Sequence, residues 1–318
     1  MHRIMTMKKP LKHLLLVLSS LILFGCQTIN SDKDRIQSNS KPAVLVNHSD
    51  TPPPIKLATI TPVVESMSKA LIENTDIEVI YLPSKRYSIK RIPGWLKKQD
   101  HNAFPKVDAI AGISSIWKEL NAYPSFRLKN IRVIPIDLAH ALSPGGERVA
   151  LTYNSATKDK STLPNYFWLN PSNAQIMIGI LSRDLKALIQ TMPYTDLHKR
   201  QLITQINDNQ ANMRTHLRKF QVSLDQTLMN LDVMQVTTDK PELTELLAAT
   251  LLPEVPLTEA IEDSTPTLLI TSRKKDHKKY KDLPNHMKVW SIDDFGKITA
   301  IGFNERWNNT LNNIQALH

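Results

Sequence analysis

Short apolar runs separated by mixed polar stretches organise the chain from residue 55 onward. Four of them, at 55–60, 77–82, 107–113 and 131–136, have the length and β-branched content of buried strands. Periodic segments at 62–73 and 114–121 lie between them and predict helices, so this half reads β-α-β-α and implies a mainly parallel sheet. A second set of strands is predicted at 232–237, 267–271 and 288–292, with helices at 241–250 and 304–316.

Between the two sets, Leu202, Ile206, Met213, Leu217, Phe220, Leu224, Leu228 and Leu231 recur at steps of 4, 7, 4, 3, 4, 4 and 3. That spacing puts them on one face of a helix, and Pro193 and Thr195 supply its start signal. A single helix over 195–230 would be roughly 54 Å long, longer than one compact lobe. It reads as a rigid spine between two lobes, 55–194 and 231–318; a bent helix or a helical hairpin inside one domain is the alternative. The fold class expected is α/β: two β/α lobes with mainly parallel sheets, joined by one long helix.

The first residues follow another logic. Lys8, Lys9, Lys12 and His13 precede an uncharged, mostly apolar run of 11 residues at 14–24. A spanning helix needs about 20 apolar residues, so this run suits a signal peptide better than a permanent anchor. It ends in Leu23-Phe24-Gly25-Cys26, which resembles the lipobox of bacterial lipoproteins, although Phe24 is bulky for its place. The resemblance implies cleavage after residue 25 and a lipid on Cys26. Cys26 is the only cysteine, so it has no internal disulfide partner. Residues 26–54, polar and closing on Pro52-Pro53-Pro54, read as a tether.

Removing residues 1–25 takes away four cations and no acid, so the formal charge falls from +10 to +6. A moderately basic body favours anionic membrane surfaces or polyanions. It lacks the aromatic-interleaved basic face that single-stranded nucleic acids need, so no nucleic-acid partner is expected. The expected location is extracytoplasmic and membrane-anchored, on the periplasmic side. Gln27 after the cysteine resembles lipoproteins sorted to an outer membrane, where the source has one.

Three segments of the body resemble the zinc and manganese solute-binding proteins of ABC transporters. Asn165-Tyr166-Phe167-Trp168-Leu169-Asn170-Pro171, with Ser172-Asn173-Ala174 and an amphipathic helix after it, is similar to that family's D-P-H-x-W-L-D-P-x-N-A segment. Leu82-Pro83 with Tyr87 and Pro93 resembles its L-P…H-x-Y-x-x-x-P segment, and Ser291-Ile292-Asp293-Asp294-Phe295-Gly296 its late L-D-P-L-G. Each motif is degenerate. The resemblance implies a non-catalytic, monomeric receptor that hands a metal ion to an ABC permease.

The departures fall on the ligands. Family members hold metal with two histidines, a histidine or glutamate, and a final acid. Carried over by position, these become Tyr87, Tyr166, Thr238 with its neighbour Asp239, and Asp293, and only Asp293 keeps a family-type donor. A neutral phenol with a pKa near 10 is a poor ligand for zinc or manganese. Three readings follow: a metal-free cleft filled by the tyrosines; an all-oxygen site of Tyr87, Tyr166, Asp239 and Asp293 for a hard ion such as ferric iron; or true ligands elsewhere, such as His140, His277 or His286.

Other signals are weaker. The basic run at 273–281 reads as a solvated loop or a surface for an acidic partner. Trp95 and Trp168 are expected beside the cleft, as core or as a stacking platform. Pro144-Gly145-Gly146-Glu147 is a turn. No G-x-S-x-G, H-E-x-x-H or distinctive carboxylate pair is present, so no enzyme is expected. The function expected is therefore a lipid-anchored solute receptor with an altered cleft; the alternative is an envelope lipoprotein that uses this fold as a protein-interaction module.

Overall fold

Parallel pairing orders the first four strands. The computed structural model describes residues 53–152, 165–272 and 279–317. β1 (Lys56–Thr59) pairs with β2 (Glu78–Tyr81) on one side and β3 (Ala109–Gly112) on the other, and β4 (Ile134–Asp137) lies outside β3, giving the order β2-β1-β3-β4. Leu57 stands opposite Val79 and Ala109, and Ala109 opposite Ile134. The second sheet has the order β5-β6-β7, from β5 (Gln235–Thr238), β6 (Thr267–Thr271) and β7 (Met287–Ser291), again all parallel.

Helices cover the sheets as the apolar spacing requires. In α1 (Pro62–Leu71) the proline opens the first turn, where its missing N–H costs nothing, and Val63, Val64, Met67 and Leu71 are buried. The predicted helix at 114–121 does not form beyond one 3-10 turn at Lys118–Leu120. Its first residues are claimed by the end of β4: Asp137 accepts from the Ser115 N–H at 2.6 Å, the Ser115 hydroxyl at 2.9 Å and the Ser114 hydroxyl at 3.1 Å. The helix forms later instead, as α3 (Tyr123–Lys129), after short α2 (Ile92–Leu96). The strand expected at 232–237 begins late because Asp232, at φ 52°, closes the preceding helix in a left-handed turn.

Two long helices form the middle layer. α4 (Pro171–Thr191) begins at Asn170, whose side chain accepts from the Ser172 N–H at 3.0 Å. α5 (Asp196–Asn230) is one unbroken helix of 35 residues, capped by the Thr195 hydroxyl on the His198 N–H. Its predicted apolar face is buried from Leu202 to Leu228 and packs against α4, α1 and α8 (Phe303–Gln315). α6 (Thr244–Ala249) and α7 (Leu257–Glu262) complete the second half. All described residues fall in one compact unit, and none of their helices is long and apolar enough to cross a membrane. Cys26, the signal segment, the tether to residue 52 and His277 lie outside the described residues.

Candidate functional site

Parallel strands end with their carbonyl edges aligned, and ligands in α/β proteins gather outside such edges. Asp239 and Lys240 follow β5, Ser272 follows β6, and Asp293 and Asp294 lie just beyond β7. All five line a cleft of about 1160 Å³, to which the first half of the chain contributes Ser88, Lys90 and Tyr166. Three of the four expected site residues, Tyr166, Asp239 and Asp293, therefore share one cavity. Tyr87 is not among its lining; its half-buried ring packs against the main core, with the Arg86 guanidinium 5.5 Å from the ring centre.

The local sequence explains why Tyr166 is held where it is. Asn173, buried in the first turn of α4, donates to the carbonyls of Ala150 and Phe167 at 2.7 and 3.0 Å and accepts from the Ala150 N–H. This fixes the turn Phe167–Leu169, on which Trp168 is fully buried. Trp168 stacks on Tyr166 at 4.7 Å and donates its indole N–H to the Asp294 carbonyl at 3.0 Å. Trp168 is thus core, backing Tyr166 and Asp294 without lining the cleft itself. Trp95 instead packs toward Phe104 at 6.4 Å, away from the cleft lining.

Three of the four carboxylates of the cleft pair with a cation of the chain itself. Arg306, only 2 % exposed, grips Asp293 with two hydrogen bonds of 2.8 and 2.6 Å, its guanidinium lying 4.0 Å from the centre of the Phe295 ring. Lys279 pairs with Asp239 at 3.0 Å, and Lys90 with Glu242 at 2.5 Å. Lys240 reaches the hydroxyls of Thr271 and Ser272 at 3.1 and 3.2 Å. Burial pushes the Asp294 carboxyl above the usual carboxylate range, partly opposed by the Gly296 N–H at 2.8 Å. Burial and the Asp239 carboxylate push the Tyr280 phenol up to about 12.

This donor set does not fit a transition-metal site. Among the described residues no group of three or more His, Cys, Asp and Glu side chains is placed to hold a metal ion. A divalent ion on Asp293 would meet a fixed guanidinium; two unit charges 4 Å apart at an effective dielectric of 20 repel by about 4 kcal/mol, and a divalent ion doubles this. The histidine alternatives are elsewhere: His140 is exposed in the strand bridge to Arg148, and His286 contacts the Ala260 carbonyl at 3.0 Å. Sequence reasoning missed Arg306, Glu242 and Lys90. Arg306 carried a readable signal, since it lies between Phe303 and Thr310 on the apolar face of α8.

No family model and no curated protein matches the chain. Solved structures do. A zinc-bound variant of AdcAII from Streptococcus pneumoniae is 12 % identical, with a TM-score of 0.56 over 83 % of this chain and 98 % of that one. FpvC from Pseudomonas aeruginosa in complex with Mn²⁺ is 10 % identical, at 0.53 over 82 % and 96 %. YcdH from Bacillus subtilis, described as a metal-dependent lipoprotein, is 10 % identical, at 0.53 over 83 % and 99 %. The α/β architecture with its parallel sheets and long helix is therefore the fold of metal-receptor solute-binding proteins.

Proposed function

We propose that the chain is a lipid-anchored, extracytoplasmic solute-binding protein of the ABC-transporter type whose cleft holds no transition-metal ion. The fold shared with metal receptors supports the receptor part. One observation carries the departure from them: Asp293, the single acid retained from the family's ligand positions, is occupied by the buried Arg306. The lining also carries as many cations (Lys90, Lys240, Lys297, Arg306) as carboxylates (Asp239, Glu242, Asp293, Asp294). Such a cleft offers a bare cation no net attraction and suits a polar organic solute. The body would occupy 55–194 and 231–318 around the 195–230 helix, tethered through 26–54 to a lipid on Cys26 and serving an ABC permease.

A ligand that binds only the folded state stabilises it by about 2.7 kcal/mol at a hundredfold excess over Kd. Thermal melts of the purified lipoprotein with Zn²⁺, Mn²⁺ and Fe³⁺ should therefore leave the melting temperature unchanged, while native mass spectrometry of the freshly purified chain should retain a small organic solute. A strong rise with micromolar zinc that Tyr166→Phe abolishes would overturn the metal-free cleft, and one that survives the substitution would overturn the assignment of Tyr166 to the site. A chain with no solute that captures one envelope protein in equal amount would replace the receptor with an interaction module.

A further inference from the structure

In a parallel sheet every strand begins on the same edge, and the edge opposite the cleft carries an exposed apolar and basic tip. Leu128 and Ile131 are 79 % and 77 % exposed, among the most exposed large apolar side chains of the described residues. Arg127, Lys129 and Arg132 beside them are exposed as well, and no acid occurs anywhere from 120 to 136. The tip joins the end of α3 to β4, three residues before the strand begins. Asn130 holds it to the loop before β3, donating to the Val107 carbonyl at 2.8 Å next to exposed Lys106.

The chain enters the body at this same edge. Lys56 opens β1, its N–H donating to the Asp108 carboxylate at 2.8 Å and its carbonyl accepting from the Asp108 N–H at 3.0 Å. Pro53 is fastened by the Tyr194 hydroxyl at 2.8 Å. β4 lies two strands from β1, so entry point and tip are about 10 Å apart across the sheet. A coil spanning 26–52 has a root-mean-square reach of about 30 Å. A lipid on Cys26 would therefore bring this edge within reach of the bilayer. Of the acids of this edge, Asp108 is taken up by the Lys56 N–H, and Asp76 and Glu78 lie on the far side, at β2.

We infer that the tip formed by Leu128, Lys129, Ile131 and Arg132 docks on an anionic phospholipid surface, its two apolar side chains entering the headgroup region and its cations meeting the lipid charge. Apolar contact and electrostatic attraction together are what interfacial anchoring requires. The body would then stand with its cleft facing away from the membrane that holds it. This inference rests on the lipid-anchored reading for proximity, and its test separates the two.

The test uses the full lipoprotein carrying Leu128→Cys with an environment-sensitive fluorophore, the unsubstituted chain giving the background from Cys26. On phosphatidylglycerol-containing vesicles the emission should shift to the blue and be quenched by lipids brominated near the headgroup; on pure phosphatidylcholine it should do neither. Lys129→Glu with Arg132→Glu should abolish the shift while the chain still floats with the vesicles. A floating chain whose probe stays in water, or a probe at exposed Val222→Cys that shifts equally, overturns the docking face. A chain that fails to float on neutral vesicles overturns the anchor, while a blue-shifted probe on anionic ones would still uphold the face.

Discussion

Arg306 sits where a charge is tolerated only in company. Its side chain is 2 % exposed, and Asp293 supplies both the opposite charge and two hydrogen-bond acceptors. Breaking such a pair from one side leaves the other member desolvated without compensation. Arg306→Met keeps the stem against Phe295 and should cost about 3 kcal/mol in urea denaturation. Adding Asp293→Asn should return more than half of that loss, because the stranded carboxylate is gone. If the double variant is no better than the single one, the pair is not what holds this corner. The sequence shows Arg306 on the buried face of a helix but not its partner, since the pairing brings together the residues after β7 and the second turn of α8 only in the folded chain. Asp239 entered through the family resemblance, as the neighbour of Thr238, and its place after β5 puts it on the cleft lining.

Among the elements, α5 was the most legible, because a repeat of three and four sustained over eight apolar positions has no competing interpretation as strand. The failed helix at 114–121 shows the limit. Its serines are bound by Asp137, a residue over 20 positions downstream whose role local pattern cannot carry. α6 illustrates a related long-range tie with a pH consequence. Glu245, 1 % exposed, accepts from the Thr152 N–H at 2.6 Å and from the Thr152 hydroxyl at 2.9 Å, which straps α6 to the chain just after the turn around Gly145. Burial nonetheless pushes its carboxyl above the usual value, with the Thr152 bonds opposing. An acid raised in the folded state binds more protons folded than unfolded, so its stabilising contribution is complete below the unfolded pKa near 4.5 and is lost as pH rises through the folded value. Melts of wild type and Glu245→Gln from pH 4.5 upward should therefore show the wild type losing ground to the variant. A constant difference across that range would mean that the carboxyl titrates alike in both states.

At the scale of the whole molecule, the two sheets are joined by more than α5. The Ile89 N–H donates to the Gly296 carbonyl and the Tyr166 N–H to the Glu242 carbonyl, each at 2.8 Å. The Trp168 indole reaches the Asp294 carbonyl, and Lys90 pairs with Glu242. The ion pair has an exposed lysine and contributes little by itself, at most about 1 kcal/mol. The other three bonds engage backbone groups that a separation of the halves would have to leave unpaired or return to water. Halves bridged by hydrogen bonds of the chain itself need no ion to hold them together, which agrees with Asp239, Glu242 and Asp293 already paired with resident cations. Spin labels at Lys85→Cys and Glu305→Cys, both on exposed positions of opposite halves, should accordingly give one narrow distance distribution in the purified chain without added solute. Trp168→Phe combined with Glu242→Gln removes the indole donor and the ion pair, and should broaden that distribution toward longer distances. A wild-type distribution that is already broad, and narrows only when metal is added, would mean that the bridges do not hold the halves and that an ion does.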